Sequence, residues 1–209
     1  MALPNVTRPL PTALFSLVAL GALWMAPGLP ELAAVPAPDN DPACTPVERM
    51  PVEGRASPYD SAQVALAGGM VKICYGSPSL RGRTMIGGEA VPYGQLWRFG
   101  ANEPTTLHTS VPLSVGGIAV PAGSVALYAI PAAGHWEIFI TTSTDHWGLQ
   151  ITPEVRAQEL GSVHVDAEAL ASPVESMVLR FDDAGTRGAT LVFEWQTTRL
   201  SIPVTATNP

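Results

Sequence analysis

The chain has 209 residues, 46% of them apolar, enough to fill the core of one domain with chain to spare. Its 21 prolines and 19 glycines argue for many turns and against long helices. A net charge of −7, with Lys72 the sole lysine and no basic run, excludes nucleic acid as a partner, because neutralising phosphates takes clustered Lys and Arg.

The chain opens with Arg8, the apolar run TALFSLVALGALWMAPGL (12–29) and the small-residue patch ELAAVPAP. Charged, apolar and small-residue regions in that order form a secretory signal. The apolar core, Ala13 to Ala26, falls short of the roughly 20 residues that span a bilayer. Residues 1–34 are therefore expected to be a signal peptide cut near Ala34, or an uncleaved N-terminal anchor; the remaining reading is a buried helix. The first two place the protein in the periplasm or outside the cell, touching membrane only through a retained N-terminal segment.

Pro36, Pro38, Pro42, Pro46, Pro51 and Pro58 make 35–58 an expected extended linker. Cys44 lies in it and Cys74 in the first strand. In an oxidising compartment these two can form a disulfide. DPAC, ending at Cys44, lacks the aliphatic residue of a lipidation signal.

From Tyr59 onward, period-2 alternation recurs and predicts one β-rich domain over 59–207. VKICY (71–75) puts Val71, Ile73 and Tyr75 on one face, and SVALYAI (124–130) is apolar on both faces, as in a central strand. WEIFI (136–140) sets Glu137 opposite Trp136, Ile138 and Ile140, and VHV (163–165) turns His164 away from two valines. ESMVLRF (175–181), TLVFEW (190–195) and LSIPV (200–204) complete the strands, with Pro203 expected at an edge or strand end. Gly- and Pro-rich turns at 115–124, 131–135 and 182–188 separate them. One short helix is expected in TPEVRAQEL (152–160), with Thr152 as N-cap and Pro153 at N1. The predicted fold is mainly β, an antiparallel sandwich or sandwich-like barrel.

Chemistry-bearing motifs are sparse. His108, His135, His146 and His164 stand apart, without metal-ligand spacing, and there is no phosphate-binding loop, dinucleotide fingerprint or nucleophile elbow. No metal or cofactor is expected. The densest polar cluster is RGRTMIGGEAVPYGQLWRFGANEPTTLH (81–108). In it, Arg98, Asn102 and Glu103 can contact a ligand, with Trp97 or Tyr93 as a stacking wall. The plainer alternative pairs Arg98 with Glu103 internally and uses Asn102 to close a turn. TDHWG (144–148) either faces the same cleft or forms a turn over a core Trp.

This stretch resembles the signature of a bacterial family of exported domains, the Domain of Unknown Function 2911 family, close to R-x-x-x-G-x-x-V-P-Y-G-x-x-W-R-x-G-A-N-E-x-T. Arg83, Gly87, Val91, Pro92, Tyr93, Gly94, Trp97, Arg98, Gly100, Ala101, Asn102, Glu103 and Thr105 match it. AGSVALYAIP (122–131), WEIFI, DHWG and FEW resemble later blocks, so the likeness covers about 59–205. Val125 and Thr141 depart from the family's usual Tyr and Asn. The resemblance implies export and a compact β-rich domain, and no chemistry.

Three readings follow from the residues. One is a non-catalytic binding module for a small polar ligand, a glycan or a protein partner. Another is a hydrolase-like enzyme with Glu103 as acid or base and Arg98 as electrostatic stabiliser. The last is a purely structural role for the cluster.

Overall fold

The computed structural model describes residues 43–46 and 51–208. The expected targeting segment, 1–34, lies outside them, as does most of 35–50. Among the described residues no helix is long and apolar enough to cross a membrane.

Two antiparallel sheets face each other as a sandwich, with no closed barrel. The larger sheet has the order β1 (Tyr59–Leu66), β2 (Gly69–Gly76), β3 (Thr105–Thr109), β6 (Gly123–Pro131), β7 (His135–Thr141), β8 (Glu159–Asp166). The smaller has β5 (Ile118–Val120), β4 (Leu113–Val115), β10 (Gly188–Ala206), β9 (Glu168–Asp182). Alternation decides what fills the space between them. Ile73, Leu107, Leu127, Trp136 and Ile138 point in from the larger sheet, and Leu179, Leu191, Phe193, Trp195 and Ile202 from the smaller. All are essentially inaccessible to water. At about 25 cal/mol per Å² of apolar surface, this shared core is the main stabilising term.

The apolar positions of β10 change parity partway along. Leu191, Phe193 and Trp195 are buried at odd positions, then Leu200, Ile202 and Val204 at even ones. A bulge makes the switch: Gln196 has φ 54° and the register with β9 shifts on both sides of it. The inserted residue turns the strand over without ending it. The segments 190–195 and 200–204, expected as separate strands, are therefore one. Pro203 sits within that strand, after Arg199, the last residue paired to β9, and before Val204, the first paired to β4. Its missing N–H is lost where neither ladder needs it.

The outer face of the larger sheet carries a second small core. Tyr128 and Phe139 stack with ring centroids 5.1 Å apart, and Val155, Ile130 and Ile151 close over them. Val155 belongs to α1 (Pro153–Arg156), a single turn with Pro153 at its start. The expected helix over 152–160 is shorter than its pattern, because Glu159 and Leu160 already belong to β8. Thr152 occupies the N-cap position with extended backbone and makes no side-chain cap bond. The Tyr128 hydroxyl donates to Glu159, which also accepts from Arg156 Nε at 2.8 Å. These bonds fasten the 142–158 excursion across the sheet.

A strap lies over the same face. Cys44 and Cys74 are disulfide-bonded, with Cα atoms 5.7 Å apart. Closing a loop of this length contributes about 3–4 kcal/mol by the chain-entropy model. Residues 51–58 are held onto the domain and do not hang as a linker. The Ser77 amide donates to Pro58 O at 2.7 Å, and Arg81 Nη2 donates to Ala56 O at 2.6 Å.

Candidate functional site

The cluster at 93–103 runs alongside β6 and is bridged to it at Trp97. Trp97 forms a two-bond bridge with Ala129 of β6, N to O at 2.8 Å in both directions. Ala129 points inward, so Trp97 does too. Its ring stacks on Trp195 at 5.8 Å and 17°, and meets Trp136 edge-on at 5.8 Å. Phe99 follows two residues later and stacks on Phe193 at 5.1 Å. Trp97 is 7% exposed. Its ring is spent on the core, and the structure places it beyond the reach of a ligand stacking on an open wall.

Alternation sends Arg98 the other way, onto the outer face. Beyond it the chain turns tightly, with Phe99 at φ 55° and Asn102 at φ 64°. Asn tolerates this left-handed region better than most residues, which gives Asn102 a structural use. The Asn102 carbonyl accepts from the Gly148 amide at 3.2 Å, and its side-chain amide donates to Ser57 O at a long 3.5 Å. Thr105 then closes the turn, its hydroxyl donating to Phe99 O at 2.7 Å.

Glu103 is 1% exposed, and its partner is Arg55. Arg55 Nη1 donates to both carboxylate oxygens, at 2.7 and 2.8 Å. The Arg55 side chain is itself 3% exposed, and its Nε donates to Pro51 O at 2.6 Å. The expected internal pairing of Glu103 with Arg98 is thus replaced by a pairing with the strap. A buried carboxylate needs such neutralisation, and Arg55 lies too far upstream in a proline-rich stretch for spacing to have singled it out. Sealed in this way, the carboxylate has no open path to a substrate.

Arg98 remains. It is half-buried, and among the described residues no hydrogen bond or ion pair engages its guanidinium; its Nε is out of reach of water. Burial lowers its pKa, against a smaller opposing pull from the nearby Glu103 charge. The TDHWG turn lies against it. A Cβ on Gly148 would fall 2.6 Å from Arg98 Cδ and 2.6 Å from Asn102 O, so only glycine lets the turn press this closely on both. Earlier in the same turn, His146 Nδ1 stands 3.1 Å from Trp147 O. A carbonyl only accepts, so Nδ1 carries a proton; Nε2 is buried with no partner.

Tyr93 belongs to another surface. It is 48% exposed, lies over Gly87, and edges a depression of about 160 Å³ with Ala133, Thr197 and Thr198. The structure therefore distributes the five sequence candidates. Arg98, Asn102 and Glu103 are together, Trp97 lies beneath them and Tyr93 stands apart. Gly148 meets Arg98 from a turn some 45 residues downstream, and Arg55 joins Glu103 from upstream. Among the described residues no group of three or more His, Cys, Asp or Glu side chains is arranged to hold a metal ion.

No curated protein and no solved structure matches this chain. Residues 57–204 match the family described as proteins of unknown function, DUF2911. That span runs from the strap through the Trp97 bridge into the last residues of β10, ending at Val204. The chain belongs to the DUF2911 family.

Proposed function

We propose that this chain is an exported, non-catalytic binding domain that takes a small polar ligand or a glycan on the outer face of its larger sheet, with Arg98 as anchor. The observation that carries this reading is the unspent guanidinium. In a segment where Trp97 fills the core, Glu103 seals the strap and Asn102 makes the turn, Arg98 is half-buried, its Nε is buried without a partner, and no hydrogen bond or ion pair among the described residues engages its guanidinium. Holding an arginine so costs stability, and such cost concentrates at functional sites. Export is supported by the disulfide and by the signal-like order of residues 1–34.

A thermal-shift panel of acidic and neutral sugars and small metabolites tests the reading. A ligand held at Arg98 should raise the wild-type Tm on the order of 5 °C at a hundredfold excess over its Kd. That shift should vanish in Arg98→Ala. Hits that keep their shift in Arg98→Ala would put the site elsewhere, and binding only to a protein partner would replace the small-ligand reading.

A further inference from the structure

Four stretches of chain meet around the exposed ring of Tyr93. The Gly94 amide donates to Pro131 O at 2.9 Å, and the Ala167 amide donates to Gly134 O at 3.0 Å. These bonds draw together the Tyr93 segment, the turn after β6 and the chain entering β9. The fourth side comes from β10, at a fault in its ladder. Gln196 pairs with Val174 and Thr198 with Ala169, so Thr197 alone stands against residues 170–173. Such irregularities often lie beside binding sites. Between the four stretches lies the depression of about 160 Å³, with Tyr93, Glu168, Thr197 and Thr198 set around three alanines. The alanines carry no long side chain that could fill it. The Tyr93 ring is 48% exposed yet seated. A Cβ on Gly87 would fall 2.7 Å from it, and Gly87 has φ 77°, so glycine is what lets the ring lie there. Among the described residues no side-chain hydrogen bond or ion pair engages Tyr93, Glu168, Thr197 or Thr198. Arg199, the register partner of Glu168, stands 3.6 and 3.5 Å from Asp182 and Glu194 instead.

We propose that this depression is a second binding site, for one ring of a neutral oligosaccharide stacked on Tyr93. It does not involve Arg98 and stands whether or not the reading above holds. A sugar ring has an apolar C–H face and a rim of hydroxyls. The C–H face suits the electron-rich face of a tyrosine ring. The hydroxyls can donate to the Glu168 carboxylate and exchange hydrogen bonds with Thr197 and Thr198. The volume is below the roughly 300 Å³ at which pockets for drug-sized ligands begin, so it takes a single ring. Glu168 also lines a second depression, of about 380 Å³, together with His164, Asp166 and Ser201. A chain of sugars can therefore continue past Glu168. No Lys or Arg lines either depression, and both carry carboxylates, which disfavours an acidic sugar. An alkylammonium would use Tyr93 and Glu168 but has nothing to offer the two threonines.

An NMR titration of the full chain, followed through its backbone amides, tests this with cellotriose, maltotriose, chitotriose, trigalacturonate and choline. At least one neutral trisaccharide should bind, with a Kd on the order of 1 mM as suits a small open site, and should move the amides of Ala169, Thr197 and Thr198. Tyr93→Ala should weaken it by about tenfold or more, while Tyr93→Phe, which keeps the ring, should stay within about threefold of the wild type. Glu168→Gln, an exposed change that leaves the fold intact, should also weaken it. Arg98→Ala should leave it unchanged. The proposal is overturned if no neutral trisaccharide binds, if trigalacturonate or choline binds more tightly, or if Tyr93→Ala and Glu168→Gln have no effect. Trisaccharide binding that is lost in Arg98→Ala and kept in Tyr93→Ala would overturn this site and support the one at Arg98.

Discussion

Arg55→Ala should destabilise the domain by about 3–5 kcal/mol, because it strands the Glu103 carboxylate in a place water does not reach. In a domain of this size that corresponds to a fall in Tm on the order of 10 °C, measurable by differential scanning calorimetry. Glu103→Gln should cost less than Arg55→Ala, since the amide oxygen still accepts from Arg55 Nη1. The decisive comparison is the double replacement Arg55→Met with Glu103→Leu. Removing both charges together should recover much of the loss, because a buried ion pair repays little beyond its own desolvation. A Tm for Arg55→Ala within a degree or two of the wild type would mean that the strap is not fastened as described.

Trp97→Ala is the second large effect. The ring touches Trp195, Trp136, Phe99 and Phe193, and removing it leaves a cavity in a core that cannot collapse around it. Large-to-small changes of this kind cost about 3–5 kcal/mol. The Trp97 backbone keeps both bonds to Ala129, so the loss is one of packing. Urea unfolding should show a lower midpoint with an unchanged slope. Trp97→Phe should cost less in the same measurement. Ligand binding should survive in folded Trp97→Phe, since the side chain that faces solvent is that of Arg98.

Much of this architecture was legible from alternation. The strands at 71–75, 124–130, 136–140 and 175–181 lie inside β2, β6, β7 and β9. The double-sided apolar character of 124–130 corresponds to real burial on both faces, with Leu127 in the main core and Tyr128 under α1. Local pattern was silent where structure depends on distant chain. β4 and β5 have three residues each, too few to establish a period. The parity change in β10 reads as two strands because a bulge and a strand break leave the same trace in sequence. The site divided in the same way. Arg98, Asn102 and Glu103 could be named from their neighbourhood. Arg55 could not, because it reaches Glu103 through the fold. Nor could the sequence say which of Trp97 and Arg98 faces inward until the bridge to Ala129 fixed it.

The Domain of Unknown Function 2911 signature thus joins two kinds of residue. Trp97, Thr105 and Glu103 hold the segment beside β6 and its strap, while no hydrogen bond or ion pair among the described residues engages the Arg98 guanidinium. The most direct test is the stability of Arg98→Met, which keeps the aliphatic stem over Gly148 and removes the unpaired guanidinium. Its Tm should equal or exceed that of the wild type, while every ligand shift that depends on Arg98 is lost. A fall in Tm comparable to that of Arg55→Ala would contradict this division and make Arg98 one more structural member of the signature.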